Sequence, residues 1–115
     1  MAQPNWKRKE YRNKKILEAC HDMGDGCTVQ LPGCCGPMAP TVPAHSNLMD
    51  DGKGKSIKAD DIFVAQACQF CHDVLDGRHK IEHKLIDFTR DLLIFYHDRG
   101  IKRTIRRMLD KGILK

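Results

Sequence analysis

Hydrophobic side chains recur at helical spacing towards both ends of the chain. Residues 6–20 place apolar positions on an otherwise basic background and predict a short helix; these positions are Trp6, Ile16, Leu17 and Cys20. A second helix is predicted from His83 to His97, through Leu85, Phe88, Leu92, Phe95 and Tyr96. We expect Gly100 to end it, and a last helix to follow with an apolar stripe of Ile101, Ile105, Met108 and Leu109.

Shorter patterns fill the middle of the chain. Residues 27–31 (CTVQL) alternate as a strand would, and Pro32-Gly33 turns them. Residues 41–45 (TVPAH) predict a second strand at an edge, because Pro43 cannot donate to a ladder. A polar, glycine-bearing loop over 46–60 follows. Residues 61–66 then lead to a turn at Cys68–Cys71, after which a helix is expected from His72 to Gly77.

Cysteine spacing points to a metal site. Cys68 and Cys71 form a C-x-x-C pair that could present two thiolates to one ion, which is half of a tetrahedral zinc site. The other half would come from Cys27 with Cys34 or Cys35, of which only one should reach the ion because neighbours in an extended segment point opposite ways. A redox pair or haem attachment at C-x-x-C-H are the alternatives, and zinc is favoured. Cys20 is expected to be a buried apolar residue of the first helix.

Composition limits the class of protein. The chain has 115 residues, 20 Lys and Arg against 15 Asp and Glu, and a net charge of +5. This length suits one domain, and no apolar run approaches a membrane span. The N-terminus lacks a secretion signal, so a cytoplasmic location is expected and a disulfide-bonded secreted protein is disfavoured. Basic residues concentrate in 7–15 and 99–115, around an acidic centre. That distribution suits a protein that grips a polyanion, although basic ends could also serve only solubility.

Several motifs together resemble a known family. They are Ala44-His45-Ser46, Asp61 seven residues before Cys68, and His72 directly after Cys71. HNH endonucleases look like this, and residues 27–78 resemble more narrowly the small YbcO-type nucleases of lambdoid phages and prophages. The resemblance implies an α+β fold. We expect a basic helical arm over 1–26, a zinc-stabilised ββα-metal core over 27–82, and C-terminal helices over 83–115 that pack on the core.

The resemblance also implies roles for individual residues. His45 would be the general base, Asp61 would stand where the family has Asn and orient His45, and His72 with Asp76 would hold a catalytic Mg²⁺ or Mn²⁺. Ala44 stands where many members have a further ligand, so that ligand is missing or comes from Asp60, Asp61 or Asp73. Cys35 fits the family spacing better than Cys34. The expected structural zinc ligands are therefore Cys27, Cys35, Cys68 and Cys71.

The expected activity is metal-dependent cleavage of DNA with weak sequence specificity. Phosphate contacts are expected from Lys53, Lys55, Lys58, Arg103, Arg106 and Arg107, although the arginines could equally form a solvated helix face. The alternative function is a non-catalytic, zinc-stabilised module that binds DNA or protein. DNA against RNA and the catalytic ion stay open, and a homodimer or a phage or host recombination or replication protein could be the partner. The remaining histidines are expected at surface or internally satisfied positions; they are His21, His79, His83 and His97.

Overall fold

The computed structural model describes residues 10–54, 57–77 and 89–114. They form a small α+β fold whose elements are α1 (Lys14–Asp22), β1 (Thr41–His45), a 3₁₀ turn (Met49–Asp51), β2 (Val64–Cys68), α2 (Gln69–Leu75) and α3 (Arg90–Asp110). Expectations for Trp6, Lys55, His79, His83, Leu85 and Phe88 lie outside the described residues. None of the helices in the described ranges is both long and apolar enough to cross a membrane.

The sheet consists of β1 and β2, which pair antiparallel with Thr41 opposite Cys68 and His45 opposite Val64. Every residue of β2 is buried, because β1 lies beside it and α3 packs against it. The strand predicted over residues 41–45 is confirmed, and Pro43 is accommodated in a two-stranded sheet where each strand has a free edge. His45 thus sits at the end of β1, just before a long connection to β2.

The strand predicted over residues 27–31 is wrong, and the second strand of the sheet is Val64–Cys68 instead. Gln30 adopts a left-handed backbone with φ of +55°, which a strand does not allow. The N–H of Thr28 still reaches the carbonyl of Gln66 at 2.7 Å, so the loop touches β2 at one point. The carbonyls of Gly26, Thr28 and Val29 accept hydrogen bonds from arginine side chains of α3. The alternating pattern reflects a buried loop, since Cys27, Val29 and Leu31 all lie in the core.

The helix break predicted at Gly100 is also wrong, because α3 runs unbroken from Arg90 to Asp110. Gly100 is buried, and a Cβ placed on it would lie 2.9 Å from Val29 Cγ2 and 3.2 Å from Thr28 Oγ1. Four residues later, Thr104 Oγ1 accepts the N–H of Gln66 in β2 at 2.8 Å. Gly100 therefore lets α3 pack closely on the loop that carries Cys27, and it does not end the helix.

The two shorter helices also differ from their predicted limits. The first helix was expected over residues 6–20 and spans Lys14–Asp22, with the Asn13 side chain capping it by accepting the N–H of Lys15. Cys20 is fully buried on this helix as expected, and burial raises the pKa of its thiol to about 12. The helix expected to open at His72 begins three residues earlier, at Gln69, with Cys68 as its N-cap.

Candidate functional site

Four cysteine sulfurs meet beneath the start of α2. The sulfurs of Cys27, Cys34, Cys68 and Cys71 all lie within 4.8 Å of one another. Cys34 Sγ and Cys68 Sγ are 3.7 Å apart. A tetrahedral zinc ion with bonds of about 2.3 Å would hold its sulfurs about 3.8 Å apart, so this spacing fits such an ion. The four cysteines could therefore hold a metal such as zinc.

Cys34, not Cys35, completes this group, which corrects the choice made from family spacing. A turn carries the chain here, with the N–H of Cys34 bonded to the carbonyl of Leu31 at 2.8 Å. The turn points the Cys34 side chain inwards and leaves Cys35 exposed. Cys35 still contributes its backbone, since its N–H approaches Cys68 Sγ at 3.5 Å. The expectation that only one of the two neighbours reaches the cluster agrees with this arrangement.

Electrostatics of the cluster favour a bound cation. The thiol of Cys71 donates to Cys27, which lowers the pKa of Cys27 to about 5 against the opposing effect of burial. The same hydrogen bond and burial raise the pKa of Cys71, and burial raises that of Cys34 to about 11. Four thiolates would become compatible only around a positive ion, as metal ligation requires.

A second group surrounds His45 at the end of β1. His45 Nε2 lies 2.9 Å from Asp61 Oδ1, and the Arg12 guanidinium approaches the same oxygen at 3.4 Å. The other carboxylate oxygen accepts the N–H of Asn13 at 2.7 Å. The Asp61 side chain is only 5% exposed, whereas that of His45 is 15% exposed. Asp61 is therefore the more buried member of the pair, and it contacts the imidazole at Nε2.

The groups that contact Asp61 determine its ionisation and the position of the proton on the neutral His45 ring. Burial raises the pKa of Asp61, but the hydrogen bond from His45, the N–H of Asn13 and the charges of His45 and Arg12 outweigh it and hold the pKa below its ordinary value. An ionised Asp61 only accepts hydrogen bonds, so the neutral imidazole carries its proton on Nε2. The lone pair then lies on Nδ1. That is the tautomer a general base needs.

His72 and Asp76 lie on one face of α2 and its C-terminal end. His72 Nε2 is 3.5 Å from Asp76 Oδ2, and His72 Nδ1 is 3.7 Å from Asp73 Oδ1. Nδ1 is buried and makes no hydrogen bond to any described group. Both contacts are longer than an ordinary hydrogen bond, and His72 Nε2 and Asp76 Oδ2 could share an ion. The shared face expected from their four-residue spacing agrees with this geometry.

The described residues offer no third protein ligand in a close group with His72 and Asp76. His72 and Asp76 belong to no group of three close Cys, His, Asp or Glu ligand atoms there. Asp60 Oδ1 accepts the N–H of Tyr11, both oxygens of Asp61 are engaged, and Asp73 Oδ1 accepts the Gln69 amide at 2.7 Å. None of the three carboxylates considered from the sequence forms a close ligand group with His72 and Asp76 within the described ranges.

One cleft of about 560 Å³ brings the two histidine groups together. His45 from β1 and His72 with Asp76 from α2 line it, and the exposed Lys53 and Lys58 stand at its sides. Glu10, Arg12 and Asp61 line a smaller adjoining cavity that His45 and Lys58 share. Candidate residues separated by 27 positions along the chain thus face the same space. Lys55 lies outside the described residues.

The C-terminal arginines are placed differently from one another. Arg99, Arg103 and Arg107, four residues apart on α3, form an arginine stripe that donates to carbonyls of the loop bearing Cys27. Their acceptors are Val29, Thr28 and Gly26, and Arg107 also donates to the Gln66 side chain. Arg106 is exposed. Of the three predicted phosphate contacts, Arg103 and Arg107 therefore have structural partners, and Arg106 is accessible.

Four positions of this site carry no motif in the sequence. Arg12 and Asn13 reach Asp61, and the Asn47 amide donates to the carbonyl of Leu75 in α2 at 3.0 Å.

His97 is 5% exposed, and its Nε2 donates to the carbonyl of Ala44 at 3.0 Å. Burial lowers the pKa of His97, which favours its neutral form. The expectation that His97 is internally satisfied is confirmed. Only the chain fold reveals these contacts, because their partners are distant in sequence.

The family model described as "Putative nuclease YbcO" matches residues 17–113. The chain belongs to the YbcO family. The resemblance inferred for residues 27–78 is thereby confirmed, and the match extends it over α1 and α3. No curated protein and no solved structure matches the chain. The name of the YbcO family suggests nuclease activity, and a nuclease is a hydrolase that acts on nucleic acid.

Proposed function

We propose that this YbcO protein is a metal-dependent DNA endonuclease of the HNH type. The observation that carries the proposal is the cleft in which His45, backed by Asp61, faces the same space as His72 and Asp76. A general base and an ion-binding pair across one cleft are what hydrolysis of a phosphodiester requires. The order β1, β2, α2, with His45 ending the first strand and His72 on the helix, supports the ββα-metal arrangement.

Zinc at the four cysteines has a structural part in this proposal. Cys27 and Cys34 come from the loop, and Cys68 and Cys71 come from the junction of β2 with α2. An ion there ties the loop to the helix that bears His72, one residue after Cys71. Four thiolates leave no open position for substrate, so the ion would stabilise the fold and take no part in the reaction.

His45 acts on the attacking water. The lone pair on Nδ1 accepts a proton from water as its oxygen attacks phosphorus, and the ionised Asp61 stabilises the imidazolium that forms. A Mg²⁺ or Mn²⁺ ion held by His72 and Asp76 would polarise the phosphate and stabilise the leaving 3′-oxygen. With two protein ligands, its remaining positions are open to water and phosphate, as magnesium sites in proteins commonly have.

Basic side chains hold the DNA. Lys53 and Lys58 flank the cleft, and Lys55 in the same loop is a third candidate. Arg106 offers a contact on α3, while Arg103 and Arg107 would add positive field more than direct contacts, because their guanidiniums bind the loop. Such contacts are to phosphates, so binding is expected to depend strongly on salt and weakly on sequence.

The resemblance to YbcO-type nucleases of lambdoid phages and prophages supports a biological setting. A phage or prophage origin, a cytoplasmic location, and a homodimer or a recombination or replication partner are part of the proposal. Neither the lysines of residues 53–58 nor the arginines of α3 form a recognisable base-reading arrangement in the sequence. A partner or second copy would therefore supply target choice, and gel filtration with light scattering of the purified protein tests the homodimer.

Nicking of supercoiled plasmid in Mg²⁺ or Mn²⁺ tests the activity. Wild type should produce open circles, EDTA should stop the reaction, and His45→Ala should lose at least about a hundredfold in rate. His21→Ala is the matched control, because His21 is exposed on α1. Equal rates for wild type and both variants would show that His45 is not the base or that the activity is a contaminant.

The second candidate function is a zinc-stabilised module that binds DNA or protein without turnover. The absence of a third close ligand around His72 and Asp76, within the residues described, favours this candidate. The outcome that would select it is an inert wild type that retains zinc and binds DNA. The orienting contact between His45 and Asp61 argues for the enzyme, since a binding module has no use for a single imidazole tautomer.

A further inference from the structure

We propose that Arg12 is a positioning residue of the active site, which holds Asp61 and through it His45 in the arrangement that cleavage needs. The inference rests on the proposed nuclease function and extends it to the N-terminal arm. Arg12 precedes the segment matched by the family model, which begins at residue 17. The role is therefore one that the family match does not assign.

The Arg12 guanidinium makes four polar contacts with the protein. One terminal nitrogen donates to the Ala59 carbonyl at 2.6 Å and approaches Asp61 Oδ1 at 3.4 Å. The other donates to the Lys58 carbonyl at 2.9 Å and to Glu10 at 3.2 Å. The fork of the guanidinium thus spans the segment 58–61, which carries Asp61 into the site.

Backbone contacts reinforce this attachment on both sides of Arg12. The N–H of Asp61 donates to the Tyr11 carbonyl at 3.0 Å, and the N–H of Asn13 donates to Asp61 Oδ2 at 2.7 Å. The N–H of Tyr11 reaches Asp60 Oδ1 at 3.3 Å. Residues 10–13 therefore lie along the segment 58–61 as a strap, with Arg12 at its centre.

The contacts of Arg12 favour positioning over substrate binding. Both terminal nitrogens already donate to protein acceptors, and the side chain is 39% exposed. A phosphate would have to compete with two carbonyls and two carboxylates for these donors. Asp61 Oδ1 meanwhile contacts both the His45 ring and the guanidinium, so loss of Arg12 removes one of the two groups that hold that oxygen.

Loss of Arg12 should therefore reduce turnover more than affinity. Lys58 flanks the cleft, and its carbonyl would also lose the hydrogen bond that Arg12 donates. We expect Arg12→Ala to lower kcat for plasmid nicking about 10- to 100-fold, the range typical of groups that orient a functional side chain, with little change in KM. Arg12→Lys should recover part of the rate, since an ammonium restores the charge but not the fork.

Lys15→Ala is the matched control, because it removes one exposed positive charge from the same part of the chain. It should leave kcat unchanged. A higher KM and a shallower salt dependence for Arg12→Ala, at unchanged kcat, would make Arg12 a phosphate contact and overturn the proposal. Unchanged kcat and KM would overturn it as well. Circular dichroism and thermal unfolding establish that each variant compared is folded.

The ¹⁵N shifts of the His45 ring separate this inference from the nuclease function. Wild type should show the neutral tautomer with the proton on Nε2, and Arg12→Ala should show a mixture of tautomers. If wild type cuts no DNA but the shifts change as expected, the nuclease proposal fails and the positioning role stands. If wild type cuts and the shifts and kcat of Arg12→Ala equal those of wild type, only the positioning role fails.

Discussion

The Asn47 side chain donates a hydrogen bond of 3.0 Å to the carbonyl of Leu75, the last residue of α2. Asn47 lies two residues after His45, and Leu75 lies three residues after His72. The bond therefore joins the segment that follows the proposed base to the helix that carries His72. Asn47 and Leu75 both line the cleft, so the bond connects two sides of it.

Substitution of Asn47 should widen that cleft. We expect Asn47→Ala to lose about 1 kcal/mol in the free energy of unfolding, the usual net worth of such a hydrogen bond. Nicking should slow by about tenfold or more, because small misplacements of reacting groups are costly. Urea unfolding and plasmid nicking measure the two effects. Asn47→Asp has the same shape without the donor, and full activity in that variant would contradict the explanation.

Asp61 makes stability depend on pH in a predictable direction. Its pKa in the folded protein lies below the ordinary value of 3.8, so its ionised form stabilises the fold at pH values above that. The contribution is lost as pH falls through the folded pKa. The difference in unfolding free energy between wild type and Asp61→Asn should thus shrink as pH falls from 5 towards 3. A difference that stays constant or grows over this range would contradict the lowered pKa of Asp61.

The two adjacent cysteines provide a matched test of the metal group. Cys34→Ser should lower zinc affinity and thermal stability, because Cys34 Sγ lies in the cluster. Cys35→Ser should retain one zinc per chain and wild-type stability, since Cys35 is exposed. Elemental analysis after dialysis against a mild chelator measures the zinc. Equal loss of zinc in both variants would contradict the assignment of Cys34.

The sequence alone predicts which residues form the candidate site better than it predicts how they are arranged. The spacing of Cys27, Cys68 and Cys71 led directly to a cluster that the structure brings together. The choice between Cys34 and Cys35 failed because it depends on a turn closed by Leu31, and one-residue differences in a turn reverse the side-chain direction. His45 and Asp61 were paired from the resemblance, and their contact is 2.9 Å.

Two errors in the fold, the strand predicted at 27–31 and the helix end predicted at Gly100, share one physical origin, which is the packing of α3 against the loop at residues 24–30. The alternation in 27–31 predicts a strand, but Thr28 is buried as well as its apolar neighbours, because its hydroxyl bonds Gln66 and Thr104. Gly100 is read as a helix end because composition does not reveal the close approach of Val29. The arginine stripe that satisfies the loop carbonyls joins residues more than 65 positions apart. Local patterns carry no information on such contacts.

Gly100 therefore offers a direct test of that packing. We expect Gly100→Ala to lose about 1–3 kcal/mol in unfolding free energy, as inserting a methyl group into a packed contact usually does, despite the higher helix propensity of alanine. Arg106→Ala, at an exposed position of the same helix, should change stability by less than about 0.5 kcal/mol. Urea unfolding compares the two. A stabilised Gly100→Ala would show that α3 and the loop do not approach as described.

Arg106 and Arg107 separate nucleic-acid contact from structural support. Arg106→Ala should weaken DNA binding and reduce the slope of log affinity against log salt by about 1, with stability unchanged. Arg107→Ala should instead lower stability, because its guanidinium donates to the carbonyl of Gly26 and to the side chain of Gln66 in buried β2. Fluorescence anisotropy across a salt series and urea unfolding give both quantities for both variants. If the salt slope falls for Arg107→Ala and stays constant for Arg106→Ala, the DNA would lie along the arginine stripe, and the loop contacts of Arg107 would have to break on binding.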